Sequence, residues 1–297
     1  MFYNYMITRD LKSPAMARDE LQQSFDKSYE LYNYLLKLII DVTDLQDRYL
    51  DDAKHKFLPS HDDLNPNTKF VDNRLVEILR NNETLQHFIA EHKLTWRDNE
   101  LFLKLMLNKI QNSSFYQEYM ENGEGDLDGD CYLWRQLFKH LLIDDDDLLE
   151  ELENQSVYWS SDDLDFMSQF VMKTIKRISD GDEDPLMPQF KDDEDREFGD
   201  KLFAAAIEQE ELNEATIDKF VNKKHWDSER IVMIDRAILL VALAEVRSFE
   251  SIPTTVTLNE YIEIAKSFST PNSSSFINGI LHVAIREMKN SGTIIKP

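Results

Sequence analysis

Glycine and proline punctuate turn-rich folds, and this chain has only 7 and 8 of them in 297 residues. A fold built of short strands needs turn residues about every 8–12 positions, so the shortage favours long helices over a sheet. The apolar pattern agrees. Ser13 and Pro14 read as an N-cap and a first-turn proline, and Leu21, Phe25, Tyr32, Leu35, Leu36, Ile39, Val42 and Leu45 follow on one amphipathic face. The fold class expected is all-α.

The helical pattern is interrupted at a few places. The loop KFLPSHDDLNPNTKF (Lys56 to Phe70) ends the first helix. Patterns resume at Asn73 to Glu91 and Arg97 to Tyr119, break at ENGEGDLDGD (Glu121 to Asp130), and return at Tyr132 to Ile143, Leu148 to Glu153 and Asp162 to Ile178. The acidic stretch SDGDEDPLMPQFKDDEDRE (Ser179 to Glu197) is the best linker candidate. Beyond it Phe198 to Glu211, Ala215 to Val221 and Glu229 to Ser248 read as helices. The expected organisation is an N-terminal helical half with an acidic insertion (1–178), an acidic linker (179–197) and a C-terminal helical half (198–290).

Charge is distributed unevenly. The formal net charge is −24, a poor match to phosphate, whose counterions are displaced by Lys and Arg. Residues 121–200 hold 25 Asp and Glu against 7 Lys and Arg, a net of −18, whereas residues 231–297 hold six of each sign. Repulsion of nucleic acid therefore belongs mainly to the middle of the chain.

Several local features suggest chemistry and are better read as structure. Asp126, Asp128 and Asp130 resemble the opening of a calcium loop, but Cys131 occupies its glycine position and Leu137 stands where a bidentate Glu belongs. The run Asp144 to Asp147 opens a helical pattern, where carboxylates favour the positive end of the dipole. His87 and His92 are five residues apart and do not share a helix face as a metal pair would. There is no Walker loop, GxGxxG, HExxH or GxSxG, so no enzyme, cofactor, metal site or small-molecule substrate is expected. Trp96, Trp134, Trp159 and Trp226 stand near helix starts, as packing anchors do. A single cysteine forms no internal disulfide, no run of 18 apolar residues exists, and no secretory signal opens the chain. A cytoplasmic protein without membrane contact is expected.

The most informative stretch is TVTLNEYIEIAKSFSTPNSSSFINGILHVAIREM (Thr255 to Met288). Thr257 and Glu260 have the spacing of a capping box, and Leu258, Tyr261, Ile262, Ala265 and Phe268 recur as one buried face. Pro271, with Ser273 and Ser274 as candidate caps, opens a second helix whose inward face is Phe276, Ile277, Ile280, Leu281 and Ala284. Asn259 and Asn278 fall beside apolar positions and need partners if buried.

Together with IDRAILLVALAEV (Ile234 to Val246), this stretch resembles the C-terminal half of the NusB family of bacterial transcription antitermination factors. An acidic-basic pair before AILxxALxE, a proline, LNE, EIAK and FxNGxL occur in the family's order over about sixty residues. The middle of the chain is far longer than in a minimal member and resembles the enlarged forms of the Bacteroides lineage. The resemblance implies a NusB-like helical bundle of two packed halves, here with a large acidic helical insertion. It also implies an adapter that binds boxA-type single-stranded RNA of nascent ribosomal RNA transcripts, together with the ribosomal protein NusE, to keep the RNA polymerase elongation complex processive.

By the same resemblance Asp235 and Arg236 open the first C-terminal core helix on the partner side, and Asn272, Ser273 and Phe276 lie near partner and RNA. The family often has an acidic residue at the place of Asn272. Phe2, Tyr3, Asn4 and Tyr5 match an aromatic pattern that follows an arginine-rich turn in the family, with Tyr3 a candidate contact, but no such turn precedes Met1. Either the start codon lies further upstream or the protein has given up much of its own phosphate grip. The first is the better reading, because starting at Met1 removes the opening turns of a core helix. An alternative from another class is an acidic protein-protein adapter for ribosomal or transcription proteins that contacts no RNA directly.

Overall fold

The computed structural model describes residues 14–123, 125–223 and 231–296. Every regular element among them is helical: 14 α-helices and one π turn. The chain divides into two compact units, residues 24–189 and residues 1–23 with 190–297.

Unit 24–189 begins with most of α1 (Pro14–Lys54), whose inward face is the periodic set read from the sequence. Leu35, Leu36, Ile39, Val42 and Leu45 are all buried. Around it come the single-turn α2 (His61–Leu64), α3 (Arg74–Asn81), α4 (Glu83–His92), α5 (Glu100–Asn112), α6 (Ser114–Glu121), α7 (Leu127–Leu137), α8 (Asp146–Gln155) and α9 (Ser161–Ser179). The π turn Phe138–Leu142 extends α7. Short polar side chains punctuate this unit. Asn73, Asn82, Asn99, Ser113, Asp126, Asp145 and Ser160 each accept a backbone N–H in the first turn of the helix that follows, satisfying a donor that the helix cannot satisfy itself. Asn82 and Ser113 split two patterns that read as continuous in the sequence, Asn73 to Glu91 and Arg97 to Tyr119.

Tryptophans anchor this core. Trp96 stacks on Tyr34 with ring centroids 3.9 Å apart and donates its indole N–H to Tyr34 O at 2.8 Å. Trp159 donates to Lys27 O at 2.8 Å, and Trp134 is fully buried. The carboxylate of Asp41, also buried, accepts from Trp96 N, Lys37 and Arg97. Within 179–189, Gly181 adopts φ +81 after α9, and Asp182 N donates to Arg177 O, the glycine-ended cap that terminates many helices. Tyr32 Oη then accepts from Met187 N at 3.0 Å, and Leu186 is buried.

The second unit is built differently. Residues 14–23 of α1 join α10 (Asp193–Glu208), α11 (Glu210–Lys223), α12 (Met233–Ser248), α13 (Thr254–Phe268) and α14 (Ser273–Asn290). α10 starts inside the stretch read as a linker, capped by Asp192. α12 is apolar nearly all round and buries Ala237, Leu239, Leu240, Ala242, Leu243 and Ala244, as a helix enclosed by others must. It buries two acids, Asp235 near its start and Glu245 near its end, and Glu245 accepts from Tyr261 Oη at 2.9 Å. Lys296 reaches back to the carbonyls of Glu245 and Phe249.

Two local expectations are corrected here. α13 begins at Thr254, one turn before the expected cap, because Pro253 enters at φ −59 and its carbonyl already accepts from Val256 N and Thr257 N. Thr257 is therefore helix interior, buried, with its hydroxyl unpartnered. α14 has no side-chain cap, and the hydroxyl of Ser273 points elsewhere. Asn259 and Asn278 are exposed.

Candidate partner and nucleic-acid interface

The sequence-predicted residues come together at the starts of α12 and α14. Asp235 lies in the first turn of α12 and is only 4 % exposed. Ser269 and Ser273 donate their hydroxyls to its two carboxylate oxygens, the latter at 2.8 Å, and Thr270 Oγ1 lies 2.7 Å from Ser273 Oγ. One buried carboxylate thus pins the whole α13–α14 loop to the first turn of α12. Hydrogen bonds to a charged acceptor contribute about 1.5–3 kcal/mol each. The carboxylate also sits where α12 and α14 present the positive ends of their dipoles.

Arg236, the next residue, turns to α11 and grips both carboxylate oxygens of Glu214 through Nε and Nη2. The acidic-basic pair therefore divides its work: Asp235 fastens a loop and Arg236 fastens a helix. Asn272, immediately before α14, is exposed, as is Ser275, while Phe276 is 9 % exposed and packs in the core of this unit. Tyr3 lies outside the described residues.

The structure adds apolar surface that periodicity did not find. Phe268, assigned from spacing to the buried face of α13, is 45 % exposed, and Ile264 one turn earlier is also exposed. Val232 and Met233, just before Asp235, are exposed as well. Because Ser269 bonds Asp235, Phe268 and Met233 stand at the two sequence edges of the same fastening. In the sequence Val232 and Met233 stand inside a run of four apolar residues, Ile231 to Ile234, of which the outer two pack partly against the core, so composition alone did not mark them as exposed.

Electrostatics around these helices are mild. Burial lowers the pKa of Arg247, which donates to Asn213 and Thr216. Burial also lowers that of Lys296, and Tyr261 is raised well above its usual value by burial and by Glu245.

Among the described residues no group of three His, Cys, Asp or Glu side chains converges to hold a metal. Asp126 caps α7, Asp128 accepts from Ser179, and Asp130 is buried against Tyr119 and Arg74 N. Asp145 and Asp147 both pair with Lys109. No helix among the described residues is long and apolar enough to cross a membrane.

What fold and site define is an all-helical protein whose C-terminal motif builds a fastened loop beside exposed polar and apolar side chains. Comparison with known proteins gives the class a family. The model of the NusB family matches residues 163–286. A transcription antitermination protein NusB from Salinibacter ruber is 33% identical over 134 residues, covering 42% of this chain and 82% of the relative. That of Koribacter versatilis is 38% identical over 132 residues, covering 43% and 88%. That of Bacillus thuringiensis is 44% identical over 89 residues, covering 30% and 67%. The chain belongs to the NusB family.

Proposed function

We propose that this protein is a transcription antitermination factor that binds boxA-type RNA of nascent ribosomal transcripts together with NusE and so acts on the RNA polymerase elongation complex, without enzymatic activity. The observation that carries this reading is family membership over residues 163–286, shared with relatives named transcription antitermination proteins. The local geometry supports it. The Asp235 fastening fixes the turn that offers Asn272 and Ser275 to solvent, at the start of a helix whose leading N–H groups have no side-chain cap, an arrangement hospitable to a phosphate. Phe276 holds that turn from below, Ser273 is part of the fastening, and Arg236 with the exposed Met233 and Phe268 offers a mixed surface to a protein partner. Tyr3 belongs to the same reading as an aromatic contact for an unstacked base.

The test is a fluorescence-anisotropy titration of a boxA-containing leader RNA, with and without NusE, at two salt concentrations. Tight, salt-sensitive binding in the presence of NusE is expected. Absence of binding in both mixtures, at both salts, overturns the RNA role and leaves a protein-only adapter, a reading favoured by the net charge of −18 on unit 24–189, where 35 Asp and Glu face 17 Lys and Arg.

A further inference from the structure

Two cavities flank the start of α7, both inside unit 24–189. The first, about 350 Å³, lies between α6 and α7 and has Phe115, Tyr119 and Tyr132 in its walls beside the carboxylates of Glu118 and Asp126. The second, about 540 Å³ and wider, is lined by Ile78, Leu127 and Pro185 with Glu77, Asp182 and Glu183. Asp126 faces one cavity and Leu127 the other, so two consecutive residues form the wall between them.

Aromatic faces beside carboxylates select a cation, since the ring quadrupole and the carboxylate act in the same sense. The chain already demonstrates this at the back of the first cavity. Lys69 Nζ lies 4.2 Å from the centre of the Tyr119 ring and donates to the carbonyls of Tyr119 and Asn122, so its own charge is turned to the backbone. Glu118 and Glu183 have no ion-pair partner among the described residues. Tyr132 is 60 % exposed, a large ring left in water at the mouth of a cavity. An anion is the less suited guest. Asp126 already takes the Gly129 N–H at 2.7 Å, and the surrounding unit carries a net charge of −18.

We propose that these adjoining cavities receive the cationic side chains of an arginine- or lysine-rich segment of a partner protein, laid across Asp126 and Leu127. The aromatic cavity takes one guanidinium or ammonium group against the exposed ring of Tyr132 with Glu118 as counter-ion, and the wider one takes a neighbouring cation against Glu77 and Glu183. This docking surface does not rest on the RNA reading.

The test uses the full chain and a fluorescein-labelled peptide of alternating arginine and glycine, titrated by anisotropy at fixed salt. Tyr132→Ala and Glu118→Gln, both changes at exposed side chains, are compared with Asp52→Asn, which removes the same charge as Glu118→Gln from the exposed end of α1. Each cavity variant is expected to weaken binding about fivefold, the size of one cation–aromatic contact, while Asp52→Asn changes it less than about twofold, as a distant screened charge does. Equal weakening by all three variants, or no weakening by Tyr132→Ala, overturns the proposal in favour of diffuse attraction to an acidic surface.

Discussion

The two compact units reach stability by opposite routes. Unit 24–189 is aromatic and densely cross-tied: three tryptophans are buried in it, eight of its helices start on an Asn, Asp or Ser that caps them, and a buried carboxylate at Asp41 holds two cations and a backbone N–H. The unit of α10 to α14 is aliphatic and sparingly capped. α12, α13 and α14 begin at Val232, Pro253 and Asn272 without a side-chain cap, and the fastening that organises their ends runs through Asp235. Caps make each helix of the acidic unit self-sufficient at its ends. Close-packed alanines let α12 be surrounded, and the loops around it then need tertiary partners instead. The acidic-basic pair of the family's motif holds two of those partners: Asp235 takes the hydroxyls of Ser269 and Ser273, and Arg236 takes Glu214.

The largest expected effect tests whether the units are independent. Trp96→Ala removes a fully buried indole, its stack on Tyr34 and a hydrogen bond, and should destabilise the acidic unit by about 3–5 kcal/mol. Hydrogen exchange resolved along the chain should then show lost protection over residues 24–189 and unchanged protection in α12 to α14. Equal loss in both would make the chain one cooperative body and void the contrast.

Next in size is the fastening itself. Asp235→Ala leaves the Ser269 and Ser273 hydroxyls without their acceptor in a buried place and should cost about 2–3 kcal/mol. Chemical denaturation followed by circular dichroism measures it. An unchanged midpoint would mean that the carboxylate serves a partner rather than the fold. Arg236→Ala should cost less than about 1 kcal/mol, because its pair with Glu214 is partly solvated. A larger loss of NusE binding than of stability in that variant would separate the two roles of the motif.

Alkaline titration should distinguish the units by order of failure. In the acidic unit burial pushes Tyr32 up to about 12 and Cys131 up to about 12, from 10.0 and 9.0. Tyr119 is raised as well, by burial and then by Asp130. A folded-state pKa above the unfolded one means that the folded unit keeps its protons longer. The associated stability is complete below pH 9 and is lost as pH climbs towards 12. In the other unit Tyr261 acts in the same direction, but Lys296, lowered by burial, acts in the opposite one: its penalty is relieved as pH rises towards 10.5. Circular dichroism with tyrosinate absorbance should therefore show the acidic unit lost first. A single later transition would refute this ordering.

How much of this was legible in the sequence depends on distance along the chain. The periodic faces of α1 and α14 were readable because a helix repeats locally. Phe276, Ile277, Ile280, Leu281 and Ala284 are buried as their spacing implied. The family was readable because its motif is local too. The partners of the motif were not: Asp235 meets Ser269 and Ser273 at separations of 34 and 38 residues, and Arg236 meets Glu214 at 22. Nothing in the spacing of hydroxyls and acids distinguishes that arrangement from a solvated pair. The exposure of Phe268 was misread for a related reason, since a last-turn residue at the correct period can still project past the end of the neighbouring helices. Asn82 and Ser113 were readable in principle as caps, but the apolar pattern runs across both and hid the breaks.

One further expected effect carries a reversed sign. Thr257 is fully buried one turn into α13, and its hydroxyl has no hydrogen-bond partner among the described residues. It sits where a capping role would have satisfied it, had the helix begun at that point instead of at Thr254. Burying an unpaired hydroxyl costs about 1–3 kcal/mol by mutational measure, and valine replaces it with a methyl group of nearly the same shape. Thr257→Val should therefore raise stability, by about 1 kcal/mol once the slightly poorer helix propensity of a β-branched residue is found unchanged between the two. A denaturation midpoint that rises confirms an aliphatic unit that gains by losing a polar group. A midpoint that falls would place a donor or acceptor against Oγ1 and bring this unit closer to its cross-tied neighbour than the packing of α12 to α14 suggests.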